Sequence, residues 1–156
     1  MEANLYALLF LGFIIVQRLG ELVIAKRNTS ALMAQGAVEY GAEHYPFMVL
    51  LHTSWIIAML IFGYDQEIIL PWLLLYILLQ GFRCWILMSL GKRWTTRIIV
   101  LNEPLVLAGP FKYFKHPNYM LVVIEIFVTH MVLGLTYVAL LFTVLNALML
   151  FVRIRT

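Results

Sequence analysis

Charge is scarce in this chain. Asp, Glu, Lys and Arg make up 12% of its 156 residues and hydrophobic residues 63%, against roughly 25% charged and 45–50% apolar in a soluble domain. That excludes an ordinary water-soluble fold. There is a single cysteine, Cys84, in an apolar run. It excludes an intrachain disulfide and a multi-cysteine metal site. No internal repeat and no low-complexity tract is present, so the chain reads as a single domain over residues 1–156. The net charge is only +3, and no nucleic-acid partner is expected. The first apolar stretch is about 20 residues long and is followed by Ala25-Lys26-Arg27, too long and with the basic residues at the wrong end for a cleaved signal peptide.

What is present is a series of apolar segments of membrane-crossing length. A hydrocarbon core about 30 Å thick needs about 20 helical residues. Leu5 to Ala25 meets that, with Gln17, Arg18 and Glu21 as polar exceptions. Asn28 to Glu43 is more polar and reads as a short interfacial helix with loops. Tyr45 to Phe62 is a second span, opened by Pro46 in the first turn. Ile68 to Leu90 is a third, after the polar turn Tyr64-Asp-Gln-Glu67. Gly91 to Tyr119 is a long polar region. Pro117 to Val132 and Thr136 to Phe151 form a helical hairpin around Leu133-Gly-Leu135, each arm short for a full crossing. The expected architecture is an all-α integral membrane protein with about five transmembrane helices.

The loop charges sort by side. Lys26, Arg27, Lys92, Arg93, Arg97, Lys112, Lys115, Arg153 and Arg155 fall on one side of a five-span chain; the other side holds only Glu2, Asp65 and Glu67. The positive-inside rule then puts the N-terminus outside and the C-terminus and long polar region in the cytoplasm. Three spans with a re-entrant final hairpin give the same sidedness.

The polar stretch Leu107-Ala-Gly-Pro-Phe-Lys-Tyr-Phe-Lys-His-Pro-Asn-Tyr119 is the natural place for a site. Gly109-Pro110 turns the chain. His116 precedes a proline and is biased to extended geometry, and Pro117 suits the first position of a helix whose free N–H groups can hold an anion. With Tyr113, Tyr119, Phe111 and Phe114, the stretch can cradle a cofactor that has an aromatic ring and a carboxylate. An interfacial anchor of Tyr, Lys and Phe at headgroup depth has the same composition.

The run Leu105-Val-Leu-Ala-Gly-Pro-Phe-Lys-Tyr-Phe-Lys-His-Pro-Asn-Tyr119 resembles the signature of the isoprenylcysteine carboxyl methyltransferase family of membrane S-adenosylmethionine enzymes. Leu90-Gly-Lys-Arg-Trp-Thr-Thr96 and Glu39-Tyr-Gly-Ala-Glu-His-Tyr-Pro46 resemble segments of its bacterial members. The resemblance implies S-adenosylmethionine as cofactor, with S-adenosylhomocysteine as its product. It implies a cofactor-binding set of Glu103, Pro104, Leu105 and Val106, then Gly109, Phe111 (usually tyrosine in the family), His116, Pro117, Asn118 and Tyr119. Glu125 resembles a frequent acidic position and faces either the sulfonium or Arg83. Arg155 matches a terminal arginine that the family uses towards the acceptor. The family continues into glutamates that contact the cofactor; this sequence stops at Thr156, and a C-terminal truncation is the expectation. The implied acceptor is a lipophilic small molecule met in the membrane lipid. The leading one is the enol oxygen of a long-chain alkylpyrone, since some bacterial relatives act beside polyketide synthases. A prenylcysteine carboxylate and a phospholipid amine are the alternatives. The bacterial cell membrane is the expected location.

Charged residues inside spans are functional candidates, because each costs at least about 2.5–3.5 kcal/mol at the membrane centre. Arg18 and Glu21 are three apart and can pair with each other. Arg83 either holds the acceptor's anionic end, a catalytic role shared with Arg155, or pairs with Glu125. His52 and His130 read as packing residues. Glu39, Glu43 and His44 lack the further His or Cys of a metal set. Two readings lie outside the methyltransferases. A nicotinamide-dependent sterol reductase shares a related His-centred signature, and a non-catalytic adaptor or transporter subunit would explain the buried charges but not the His-Pro-Asn-Tyr run.

Overall fold

Asn4 starts the first helix. Its side-chain oxygen accepts from the backbone N–H groups of Tyr6 (3.0 Å) and Ala7 (3.1 Å), filling two of the donors that a helix start leaves open. The helix that follows, α1, runs from Leu5 to Ala34. In the computed structural model, which describes residues 2–100, 109–112 and 116–155, it is followed by a short strand β1 (Val38–Tyr40), helices α2 (Tyr45–Gly63) and α3 (Leu70–Leu90), a strand β2 (Ile98–Val100), and helices α4 (Pro117–Val132) and α5 (Thr136–Ile154).

The architecture is a helical membrane bundle. Helices α1, α2, α3 and α5 are long and apolar enough to cross a bilayer, and α4 is a shorter apolar helix. Two features differ from the expectation. The segment after Ala25 is no separate interfacial helix, because nothing from Lys26 to Ala34 breaks α1; it stops just before Gly36, whose φ is 92°. Its 30 residues span about 45 Å at 1.5 Å each, some 15 Å more than the hydrocarbon core. The second feature is an antiparallel ribbon, with Val38 opposite Val100, Glu39 opposite Ile99 and Tyr40 opposite Ile98. Strands of three residues are too short to show a period of two in sequence.

Side-chain and backbone bonds define two ends. At the first, the N–H of Asn4 donates to the carbonyl of Tyr64 (2.9 Å) and that of Ile69 to Val132 (2.8 Å). Gly63 lies so close to the α4–α5 turn that a Cβ there would come within 2.7 Å of Leu133. At the second end, the Asn28 amide donates to the carbonyl of Trp94 (2.8 Å), the Thr29 and Thr95 hydroxyls meet at 2.6 Å, and those of Tyr45 and Thr96 at 2.8 Å. The helices therefore alternate in direction. α4 starts beside the second end and finishes against Ile69 at the first. Lys26, Arg27, Lys92, Arg93, Arg97, Arg153 and Arg155 all belong to the second, polar end, and Glu2, Asp65 and Glu67 to the first.

Trp55, Met59, Ile126, Val128, Val132 and Phe142 form the main core. Lipid is as apolar as leucine, so burial of such residues gives helices little reason to associate inside a bilayer. Close packing and polar bonds between helices must supply it, and α1, α3 and α4 are joined by such bonds.

Candidate active site

Four charged side chains from three helices meet in the bundle. Glu125 of α4 is 1% exposed. Its Oε1 accepts from Arg18 Nη2 (2.7 Å) and Arg83 Nη2 (2.6 Å), and its Oε2 from Arg83 Nε (3.0 Å) and Gln80 Nε2 (3.1 Å). Arg83 reaches with Nη1 to Glu21 Oε1 (2.5 Å). Gln17 and Gln80 are bonded to each other, and the Tyr76 hydroxyl donates to Gln17 (3.3 Å). Two positive and two negative charges thus form a neutral circuit, open between Arg18 and Glu21. Arg18 and Glu21 do not pair with each other as their spacing allows; each is drawn across the bundle, where Glu125 and Arg83 offer better-directed bonds. Arg83 is the partner of Glu125, with two parallel N–H groups on one carboxylate, the geometry that fixes a planar guanidinium most firmly.

This circuit is the inner wall of a cavity of about 330 Å³. Arg18, Glu21 and Arg83 line it at depth, and His116, Asn118, Tyr119, Trp94, Arg97 and Arg153 line it towards the polar end; Val49, Ile56, Val122 and Leu150 give it apolar sides. The volume falls at the lower end of the range for small-molecule sites, and apolar walls with a few convergent polar groups are their usual chemistry.

The residues at the polar end are held by the loop after α3. Arg153 Nη2 donates to the carbonyl of Thr96 (2.7 Å) and Nη1 lies against the Met48 sulfur. Arg97 pairs with Glu39 (2.8 Å) and lies over the ring of Tyr45, 3.9 Å from its centroid. His116 has φ −131° and ψ 61° ahead of Pro117, and its ring stacks on Tyr119 at 5.4 Å and 18°. No side chain among the described residues caps α4, and the N–H groups of Asn118 and Tyr119 have no acceptor within the helix. The turn Gly109–Lys112 packs on α3. Gly109 has φ 58°, and a Cβ there would strike the Ser89 hydroxyl and sit 2.9 Å from Trp85 Nε1, so both backbone and space require glycine.

Of the residues singled out in the sequence, His116, Asn118 and Tyr119 line the cavity, Pro117 is buried at the start of α4, and Gly109 anchors its turn on α3. Glu125 stands behind the wall, holding Arg18 and Arg83. Arg83 lines the cavity while bound to both glutamates. Arg155 is exposed, with its guanidinium over Phe151 at 5.3 Å, and Arg153 is the terminal arginine that turns inward. Glu103, Pro104, Leu105 and Val106 lie outside the described residues, as do Tyr113, Phe114, Lys115 and the side chain of Phe111. His130 is fully buried, its ring between Trp55 and Phe142, whereas His52 reaches the cavity. Sequence reasoning did not find Trp94, Arg97 and Arg153 as cavity residues. For Arg153 a signal exists, since it continues the buried stripe Ala139, Phe142, Asn146, Leu150 at helical spacing.

These features define a helical integral membrane protein with a cavity at the boundary between its apolar bundle and its polar end. The chain belongs to the isoprenylcysteine carboxyl methyltransferase (ICMT) family, which matches over residues 72–156, from α3 to the end of α5 and beyond. That family consists of S-adenosylmethionine-dependent methyltransferases. Among curated proteins, the chain is similar to the uncharacterized protein YpbQ of Bacillus subtilis (strain 168), 34% identical over 94% of this chain and 91% of that one. It is also similar to an uncharacterized protein of Haemophilus influenzae (strain ATCC 51907 / DSM 11121 / KW20 / Rd), 28% identical over 71% of this chain and 68% of that one. No solved structure matches the chain.

Proposed function

We propose that the protein is a membrane-embedded O-methyltransferase that uses S-adenosylmethionine and acts on a lipophilic acceptor, with the enol oxygen of a long-chain alkylpyrone as the leading candidate. The observation that carries this reading is the cavity itself: one continuous space has the His116, Asn118 and Tyr119 motif at its polar end and a charged wall deep between apolar helices. A water-soluble cofactor and a lipid-soluble acceptor need such a meeting point.

The residues present fit the cofactor. Trp94 is 4% exposed and its indole N–H has no acceptor among the described residues, so a ligand acceptor in the cavity would satisfy it. Arg97 and Arg153 supply cations for an amino-acid carboxylate, and the uncapped N–H groups of α4 add donors. His116 and Tyr119, already stacked on each other, offer aromatic surface and hydrogen bonds to a nucleoside.

The bound cofactor supplies an electrophilic methyl on a sulfonium. The chain's part is to align acceptor oxygen, methyl carbon and sulfur in line and to keep water out. The stitched loop of Thr95 and Thr96, tied to α1, α2 and α5, fixes the distance between the polar end and the charged wall. With every described loop arginine and lysine at the polar end, the positive-inside rule supports a cytoplasmic position for the cofactor end and the C-terminus, and an outer position for the N-terminus.

His116→Ala tests the cofactor assignment. The residue is exposed, so folding is expected to persist. S-adenosylhomocysteine affinity, read by calorimetry in detergent, is expected to fall about tenfold, the worth of one good hydrogen bond and its stacking. Unchanged affinity would remove His116 from the cofactor site.

A further inference from the structure

Glu21 has a carboxylate oxygen with nothing to do. The residue is 8% exposed. Its Oε1 is bound to Arg83 Nη1 at 2.5 Å, but its Oε2 has no partner among the described residues, and the residue lines the cavity. Glu125 and Arg83 have every charged side-chain atom in a hydrogen bond, and Arg18 has Nη2 on Glu125. A buried carboxylate oxygen without a donor is an exception that calls for one, and a hydroxyl bound in the cavity that Glu21 lines can supply it.

Its depth says which ligand. Glu21 lies seven residues before Asn28, which is bonded to the polar-end loop, so it sits about 10 Å further into the bundle along α1. That is the end a lipid-soluble acceptor reaches. Such a molecule crosses hydrocarbon in its neutral form, because an isolated charge is far too costly there. A hydroxyl acceptor therefore arrives with its proton in place, and the proton must leave as the methyl is transferred.

We propose that Glu21 Oε2 is the proton acceptor of methyl transfer, and that the acceptor is a lipophilic compound bearing a neutral, weakly acidic hydroxyl, of enol or phenol type. This rests on the methyltransferase reading above and narrows its substrate. The acceptor oxygen bonds to the methyl carbon, the carbon–sulfur bond breaks with its electron pair going to sulfur, and the hydroxyl proton moves to Glu21 Oε2. Arg83 keeps Glu125 as a counter-ion when Glu21 becomes neutral. Arg18, three residues before Glu21, has Nη2 committed to Glu125 and lines the same wall, as does His52 of α2. A carboxylate acceptor would instead meet the unpaired oxygen of Glu21 as a like charge.

The test uses the full chain in detergent with labelled S-adenosylmethionine and three probes: a 4-alkylphenol, a 4-hydroxy-6-alkyl-2-pyrone and a 4-alkylbenzoate. The wild type is expected to methylate the hydroxyl probes at least about tenfold faster than the benzoate. Glu21→Gln is expected to bind S-adenosylhomocysteine within about twofold of wild type, and to lose about 100-fold or more on the phenol but distinctly less on the more acidic pyrone. Equal losses on both hydroxyl probes would make Glu21 a structural brace and overturn the proposal. Lost S-adenosylhomocysteine affinity would make it a cofactor ligand and overturn it too. Label in the benzoate alone, or in no probe while S-adenosylhomocysteine binds, would overturn the hydroxyl class. If Glu21→Gln fails to fold, the wild-type preference for hydroxyl over benzoate decides the matter. A wild type that does not bind S-adenosylhomocysteine would contradict the methyltransferase reading rather than the role of Glu21.

Discussion

Glu125→Ala is expected to destabilise the bundle by about 3–5 kcal/mol, the cost of removing one member of a buried ion pair and leaving its partners uncompensated. Two arginines depend on this one carboxylate, through bonds of 2.7 Å from Arg18 and of 2.6 and 3.0 Å from Arg83, and Gln80 loses its acceptor as well. In water a stranded guanidinium would be solvated; between apolar helices it is not. Thermal unfolding in detergent should show a drop of many degrees, or no folded protein at all. Arg97→Ala is the contrast. Its pair with Glu39 is partly exposed, and the loss should stay near 1 kcal/mol, the range for surface ion pairs with a modest contribution from the Tyr45 ring. Similar melting temperatures for Glu125→Ala and wild type would show that the circuit does not hold the helices together.

The second large effect separates two arginines that are neighbours in sequence. Arg153→Ala is expected to lower methyl transfer by about 100-fold, because it removes a cation from the cavity and also the bond that ties Thr96 to α5. Arg155→Ala is expected to stay within about threefold of wild type, as for exposed positions away from a site. Two helical positions are about 200° apart, so a side chain two residues beyond an inward-facing one points away from the bundle. Initial rates at saturating acceptor and limiting S-adenosylmethionine would show the difference. The opposite ranking would return the role to Arg155, the residue that resemblance to the family favours.

That pair of arginines also shows how far the sequence could be read. The helices were legible because membrane spans carry long apolar runs with prolines at their starts, and α2, α3 and α4 begin near Pro46, Pro71 and Pro117 as first-turn prolines should. The end of α1 was not, because polarity after Ala25 marks the edge of the bilayer rather than the edge of a helix. The His116, Asn118 and Tyr119 motif was legible from its pattern. The charged circuit was legible only as a set of costly residues. Spacing allowed Arg18 to pair with Glu21, and only the packing of α1 against α3 and α4 turned them to Glu125 and Arg83. The loop residues Trp94 to Arg97 had no period to betray them. Their place in the cavity comes from side-chain bonds to Asn28, Thr29, Tyr45 and Glu39, all distant in sequence.

The most direct measurement is transfer of labelled methyl from S-adenosylmethionine, by the protein in membranes, into a lipid extract of the source cell, with mass spectrometry of every labelled species. Label is expected in an extractable lipid whose mass rises by one methylene on methylation, and whose unmethylated form carries a free hydroxyl. An extract that stays unlabelled, together with no binding of S-adenosylhomocysteine, would contradict it.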